Sequence, residues 1–124
     1  MQPDAFRVFA FYHLGFDDAW RYRFRNLHHA AEAFRMPVPE LKAYLVQHRL
    51  DAETAKMVHF NISRAHADAQ ELDLTGAPPD AREAFSRVRY QEYLAAVASY
   101  AGVPAPDDVT VEELEAVLAP PAKI

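Results

Sequence analysis

Apolar residues recur along most of this chain at steps of three and four, the spacing that lines one face of an α-helix. Residues 4–14 carry mixed signals: Phe6, Phe9, Phe11, Tyr12 and Leu14 are crowded, and a short helix stopped by Gly15 is expected. With Asp17 or Asp18 as cap, Trp20, Phe24, Leu27, Ala31 and Phe34 follow at four, three, four and three, which predicts a helix over 19–34. Asn26 is a second acceptable cap and would divide that segment into two shorter helices. Pro37 and Pro39 close it, and Leu41, Tyr44, Leu45 and Leu50 predict the next helix at about 39–49.

Asp51 is positioned to cap a long helix over 52–72, in which Ala55, Val58, Ile62, Ala65, Ala69 and Leu72 form a heptad-like seam. That seam serves either the core or a homodimer, and the small Ala65 and Ala69 allow close helix approach. Thr75 to Pro79 ends it, and a further helix runs from Asp80 to about Tyr100. Its apolar face shifts from Phe85 and Val88 to Leu94 and Val97, so a kink or a change of packing partner is expected near Tyr90. Thr110 and Glu113 make a capping box for a last helix carrying Leu114, Val117 and Leu118. The reading is an all-α fold: a single compact domain, 1–124, of five or six helices.

Composition narrows the chemistry. The 124 residues are 51% hydrophobic and 25% charged, as in a globular protein with a real core. There is no cysteine, which excludes disulfides, thiolate metal sites and cysteine nucleophiles. Only three glycines are present, which argues against glycine-rich phosphate loops. No apolar stretch is long enough to span a bilayer and the N-terminus shows no signal pattern, so a cytoplasmic protein without membrane contact is expected.

The net charge of −5 hides an asymmetry: residues 1–66 carry nine basic and seven acidic side chains, and residues 67–124 four and eleven. The densest basic stretch is 21–49, with Arg21, Arg23, Arg25, Arg35, Lys42 and Arg49 against Glu32 and Glu40. Such a patch can attract phosphate, although an amphipathic helix also carries solvated charge for no purpose beyond solubility.

One segment has a recognisable pattern. Ala30, Ala31, Phe34, Met36, Leu41 and Leu45 stand where a helical hairpin needs small residues at its crossing and hydrophobes on its turn and second helix. The stretch at about 26–50 resembles the Fis-type helix-turn-helix of bacterial regulators. The resemblance implies that 39–49 is a recognition helix, with Gln47 and Arg49 reading base edges and Lys42 a phosphate. Arg21, Arg23, Arg25 and Arg35 would then hold the DNA backbone. Arg35 stands where the family has glycine, at a cost of about 1–2 kcal/mol if the backbone there is left-handed. Pro39 and Glu40 remove an N–H and add a negative charge at the helix start, where phosphate would bind.

Other candidate chemistry is thinner. His28, His29 and Glu32 share one helical segment and would need His13, His59 or His66 to complete a metal site. Ser63 lies within a turn of His59 and His66, but no acid, glycine elbow or oxyanion loop accompanies it. Tyr90, Tyr93 and Tyr100 with Arg87 and Arg89 form either an interface patch or the rim of the core. No enzyme activity or cofactor is expected. The sequence leaves two functions in competition: a DNA-binding, transcription-associated protein acting on double-stranded DNA, and a protein-interaction module whose acidic 67–124 half docks a basic partner.

Overall fold

The computed structural model describes residues 3–101, and the expected helix at 109–119 lies outside them. Among the described residues the protein is all-α. Six helices follow one another: α1 (Ala5–Phe9), α2 (Leu27–Ala33), α3 (Val38–Gln47), α4 (Ala52–Met57), α5 (Ile62–Leu74) and α6 (Pro79–Ala101). A π-helical segment, Ala10–Leu14, extends α1. No described helix is long and apolar enough to cross a membrane.

The α1 and π segments form the central rod. Their crowded hydrophobes are all needed because neighbours approach from several sides: Val8, Phe9 and Leu14 are fully buried, and Phe9 touches the rings of Phe60, Tyr90 and Tyr93. Gly15 ends the rod with φ +90°, a conformation open to glycine and strained for other residues.

The expected helix at 19–25 is replaced by a loop. Phe16 pairs with Tyr22 in an isolated antiparallel bridge, and Arg23 N–H donates to Gly15 O at 2.9 Å. The Asp17 carboxylate accepts from the N–H groups of Ala19 and Arg21, both at 2.9 Å, so it organises a turn in place of starting a helix. Trp20 takes a left-handed φ of 61° and is 7% exposed between Phe6 and Phe16, whereas Phe24 is 68% exposed. The apparent stripe Trp20, Phe24, Leu27 thus belongs to no single face. Asn26 caps α2, accepting from His29 N–H at 2.9 Å while His29 Nδ1 accepts from Asn26 N–H at 3.1 Å.

α2 and α3 are joined by a tight turn. Arg35 is left-handed at φ 55°, and Met36 N–H reaches back to Ala31 O at 2.9 Å, the bond pattern that ties off a helix C-terminus. Arg49, φ 59°, repeats the device at the end of α3, with Leu50 N–H on Leu45 O at 2.7 Å. Arg35→Gly is therefore expected to stabilise the protein. Relief of the left-handed cost, about 1–2 kcal/mol, exceeds the extra chain entropy of glycine, about 0.5–1 kcal/mol. A thermal melt should rise by about 2–5 °C, and an unchanged or lower midpoint would show that Arg35 holds the turn by other contacts.

The long seam helix is two helices. α4 stops at Met57, Val58 turns to extended backbone, and the Asn61 side chain caps α5 through Arg64 N–H at 2.9 Å. Ala55, Val58, Ala65 and Ala69 are buried within the single chain, so of the two roles open to the seam these residues take the core. α6 runs unbroken past Tyr90: Ser86, Tyr93 and Val97 face inward along its length, and Val88 faces out.

Candidate functional site

α2 and α3 place the predicted recognition surface. Leu41, Tyr44 and Leu45 turn α3 onto the core, so its outer side carries Pro39, Glu40, Lys42, Ala43, Val46 and Gln47, all exposed among the described residues. Lys42 and Gln47, to which the helix-turn-helix resemblance gives a phosphate and a base edge, are exposed. Arg49 is half-buried at the end of α3, and its carbonyl accepts the Tyr93 hydroxyl.

The charge on this surface is not basic. On α3 itself Glu40 and Lys42 cancel, and Val46, 60% exposed, sits beside them. A groove of about 480 Å³ runs between this side of α3 and the start of α4, lined by Tyr12, Leu27, Leu45 and Val46 and by Lys42, Asp51 and Glu53. Two carboxylates therefore share it with one ammonium. Asp51 is fixed there by its capping duty, accepting from Thr54 N–H at 3.2 Å and from its hydroxyl at 2.7 Å.

The arginines are organised around a different feature. Arg21 donates to Asp17 at 3.0 Å, and Arg25, with a largely buried side chain, lies 3.6 Å from the same carboxylate and stacks over Phe11. Burial works against the Asp17 charge, but the Arg21 and Ala19 N–H groups and the Arg21 guanidinium outweigh it and hold the pKa below 3.8. Arg23 and Arg25 line a second cavity, together with His29, Glu32 and Ala33 of α2. At about 100° per residue these α2 positions lie roughly 140–240° around the helix from Leu27, which lines the groove. The arginine cluster and the α3 groove therefore occupy opposite flanks of α2. Arg35 is exposed on the turn between α2 and α3.

The histidines separate. His28 and His29 are exposed, His29 is engaged in the α2 cap, and among the described residues no three His, Asp or Glu side chains gather as a metal ion requires. Ser63 is exposed, while His66 turns inward to other partners. His66 Nδ1 and the His13 carbonyl are 3.2 Å apart and the Tyr22 hydroxyl and His66 Nε2 are 2.6 Å apart. Since the carbonyl can only accept, Nδ1–H donates to it, and the Tyr22 hydroxyl donates to Nε2. His13 Nε2–H donates to Leu50 O at 2.6 Å by the same reasoning. This network fastens the 15–26 loop, α5 and the end of α3 to the central rod.

Burial lowers the pKa of His13 below 6.5, against opposing contributions from the Leu50 carbonyl and Asp51, with His66 adding to the lowering. The unfolded chain therefore takes up the proton first as pH falls. Stability from this group is complete above about 6.5 and is lost progressively below it. Denaturation midpoints should fall between pH 7 and pH 5 in the native chain, and His13→Gln should flatten that slope. An equally steep slope in the variant would assign the effect elsewhere.

The tyrosine patch resolves into packing. Tyr93 is fully buried, Tyr90 packs on Phe6 and Phe9, and Arg87 lies over Phe6 while pairing with Glu83. Sequence reasoning missed the groove residues Tyr12, Leu27, Val46, Asp51 and Glu53. Val46 did carry a signal, because it falls off the stripe formed by Leu41, Tyr44 and Leu45 and so had to point outward. Compared with known families, curated proteins and solved structures, the chain matches none.

Proposed function

We propose that this protein is a non-enzymatic protein-interaction module whose α3–α4 groove receives a basic, amphipathic segment of a partner. The observation that carries this reading is the outer side of α3: it is open, electrically balanced by Glu40 and Lys42, and bears Val46 above a groove with two carboxylates and one ammonium. An apolar anchor beside a weakly acidic rim favours a segment with hydrophobes on one side and Lys or Arg on the other. A phosphate backbone would gain little here, because binding to DNA draws its affinity from clustered cations.

The docking surface thereby moves from the acidic half to the groove. Within 67–101, Asp68, Asp73, Glu83 and Glu92 are each paired with an arginine, which leaves Glu71 and Asp80 as the carboxylates of that stretch outside any ion pair among the described residues.

A second reading, duplex DNA binding, is favoured by the left-handed turn at Arg35 and by the exposure of Lys42 and Gln47. Fluorescence anisotropy separates the two, using a labelled Leu/Lys amphipathic helical peptide and a labelled random-sequence duplex. The expected result is saturable peptide binding that Val46→Asp weakens by about tenfold or more, with negligible duplex binding at low salt. Steeply salt-dependent duplex binding that Lys42→Glu abolishes, with no peptide binding, would establish the DNA reading in its place.

A further inference from the structure

The cavity beneath the 15–26 loop, on the other flank of α2 from the groove, has a volume of about 390 Å³, within the size of small-molecule sites. Phe11, Phe16 and Phe34 give it an aromatic lining, with Phe11 and Phe34 edge to face at 5.4 Å. Arg25 and Asp17 sit at its edge as a pair whose charges offset each other.

Four further charges line the same cavity: Arg7, Arg23, Asp18 and Glu32. Among the described residues none of the four has an ion-pair partner, although six ion pairs engage eleven other side chains. Arg7 instead stacks over Trp20 at 5.0 Å, which holds its guanidinium in place. Two cations and two anions thus border one aromatic lining and remain too far apart to satisfy each other. His29 adds a donor: with Nδ1 accepting from Asn26 N–H, its neutral ring carries hydrogen on Nε2.

We propose that this cavity binds a small aromatic zwitterion of the α-amino-acid class, with the ring against the phenylalanines, the carboxylate toward Arg7 and Arg23 and the ammonium toward Asp18 and Glu32. A simple aromatic anion would gain the arginines but face the two carboxylates, and an aromatic amine would meet the reverse. Only a ligand bearing both charges answers the charges of both signs that line the cavity. The proposal is independent of the groove, and its test uses different ligands and residues.

Calorimetric titration of the full chain with four ligands tests it: L-phenylalanine, 3-phenylpropionate without the ammonium, L-phenylalaninamide without the carboxylate, and L-alanine without the ring. L-Phenylalanine is expected to bind saturably, with each of the other three at least about tenfold weaker, the scale of one lost charge-assisted bond or the apolar contact. Arg23→Gln should weaken L-phenylalanine and 3-phenylpropionate but leave the amide unchanged, and Asp18→Asn should weaken L-phenylalanine and the amide but leave 3-phenylpropionate unchanged. Both side chains are exposed, and helix content by circular dichroism should stay native in both variants. Absence of L-phenylalanine binding at millimolar concentration, or 3-phenylpropionate binding as tightly as L-phenylalanine, would overturn the proposal.

Discussion

Gly15→Ala is expected to destabilise the protein by about 2–5 kcal/mol and to release the 15–26 loop. A Cβ at this position would lie 2.6 Å from Arg23 O and 2.9 Å from the Tyr22 ring, and the backbone φ of +90° is itself strained for alanine. Neither neighbour can yield cheaply. Arg23 O belongs to the loop backbone, one residue from the Phe16–Tyr22 bridge, and Tyr22 is bonded to His66. The loop supplies Asp17, Asp18, Arg23 and Arg25 of the cavity, so the damage should reach the proposed ligand site as well as stability. Gly76→Ala is the matched comparison: its φ is +73° but nothing lies within 4 Å, so only the left-handed cost of about 1–2 kcal/mol applies. Urea denaturation measures both, and the single tryptophan, Trp20, reports the loop directly through its fluorescence. A red-shifted emission is expected for Gly15→Ala and a native one for Gly76→Ala. Equal costs for the two variants would mean that the close approach at Gly15 does not constrain the fold.

Phe9→Ala is expected to cost about 3–5 kcal/mol, a large share of the roughly 5–15 kcal/mol that holds a domain folded. Phe9 is fully buried and its ring lies 5.2 to 6.5 Å from those of Tyr90, Tyr93, His13 and Phe60. These neighbours come from the central rod, the segment before α5, and α6, so truncation opens a cavity where three parts of the chain meet. Collapse around it is limited, because Tyr93 is tethered through its hydroxyl to Arg49 O and His13 to Leu50 O. Phe9→Leu, which restores most of the volume, should recover more than half of the loss. A cost for Phe9→Ala below about 1.5 kcal/mol would show that the core closes over the gap and that the rod is not its centre.

Much of the helical content was legible in the sequence because its signals are local. Asn26 and Asp51 cap the helices they precede, Pro37 separates α2 from α3, and the Leu41, Tyr44, Leu45 stripe buries as its spacing requires. The failures share a different cause. Trp20 and Phe24 had helical spacing, but Asp17 drew two backbone N–H groups into a turn, and Arg82 of α6 donates to Trp20 O at 3.2 Å from sixty-two residues away. The seam of 55–72 kept its apolar period across a real break, since Val58 and Ala65 are both buried although the backbone between them leaves the helix. A period shows which residues are buried and not whether the helix between them is continuous. The candidate site followed the same division: exposure of Lys42 and Gln47 came from the α3 period, whereas the pairing of Arg21 and Arg25 with Asp17 depended on a loop that no periodicity announces.

The most direct test of the groove as a docking surface is a map of backbone amide shifts in the full chain as the Leu/Lys amphipathic peptide is added. The account predicts that the largest perturbations fall on Leu27, Lys42, Val46 and Glu53, with Arg21, Arg23 and Arg25 unmoved. Perturbations centred on Arg21, Arg23 and Arg35, with α3 and the start of α4 unchanged, would contradict it.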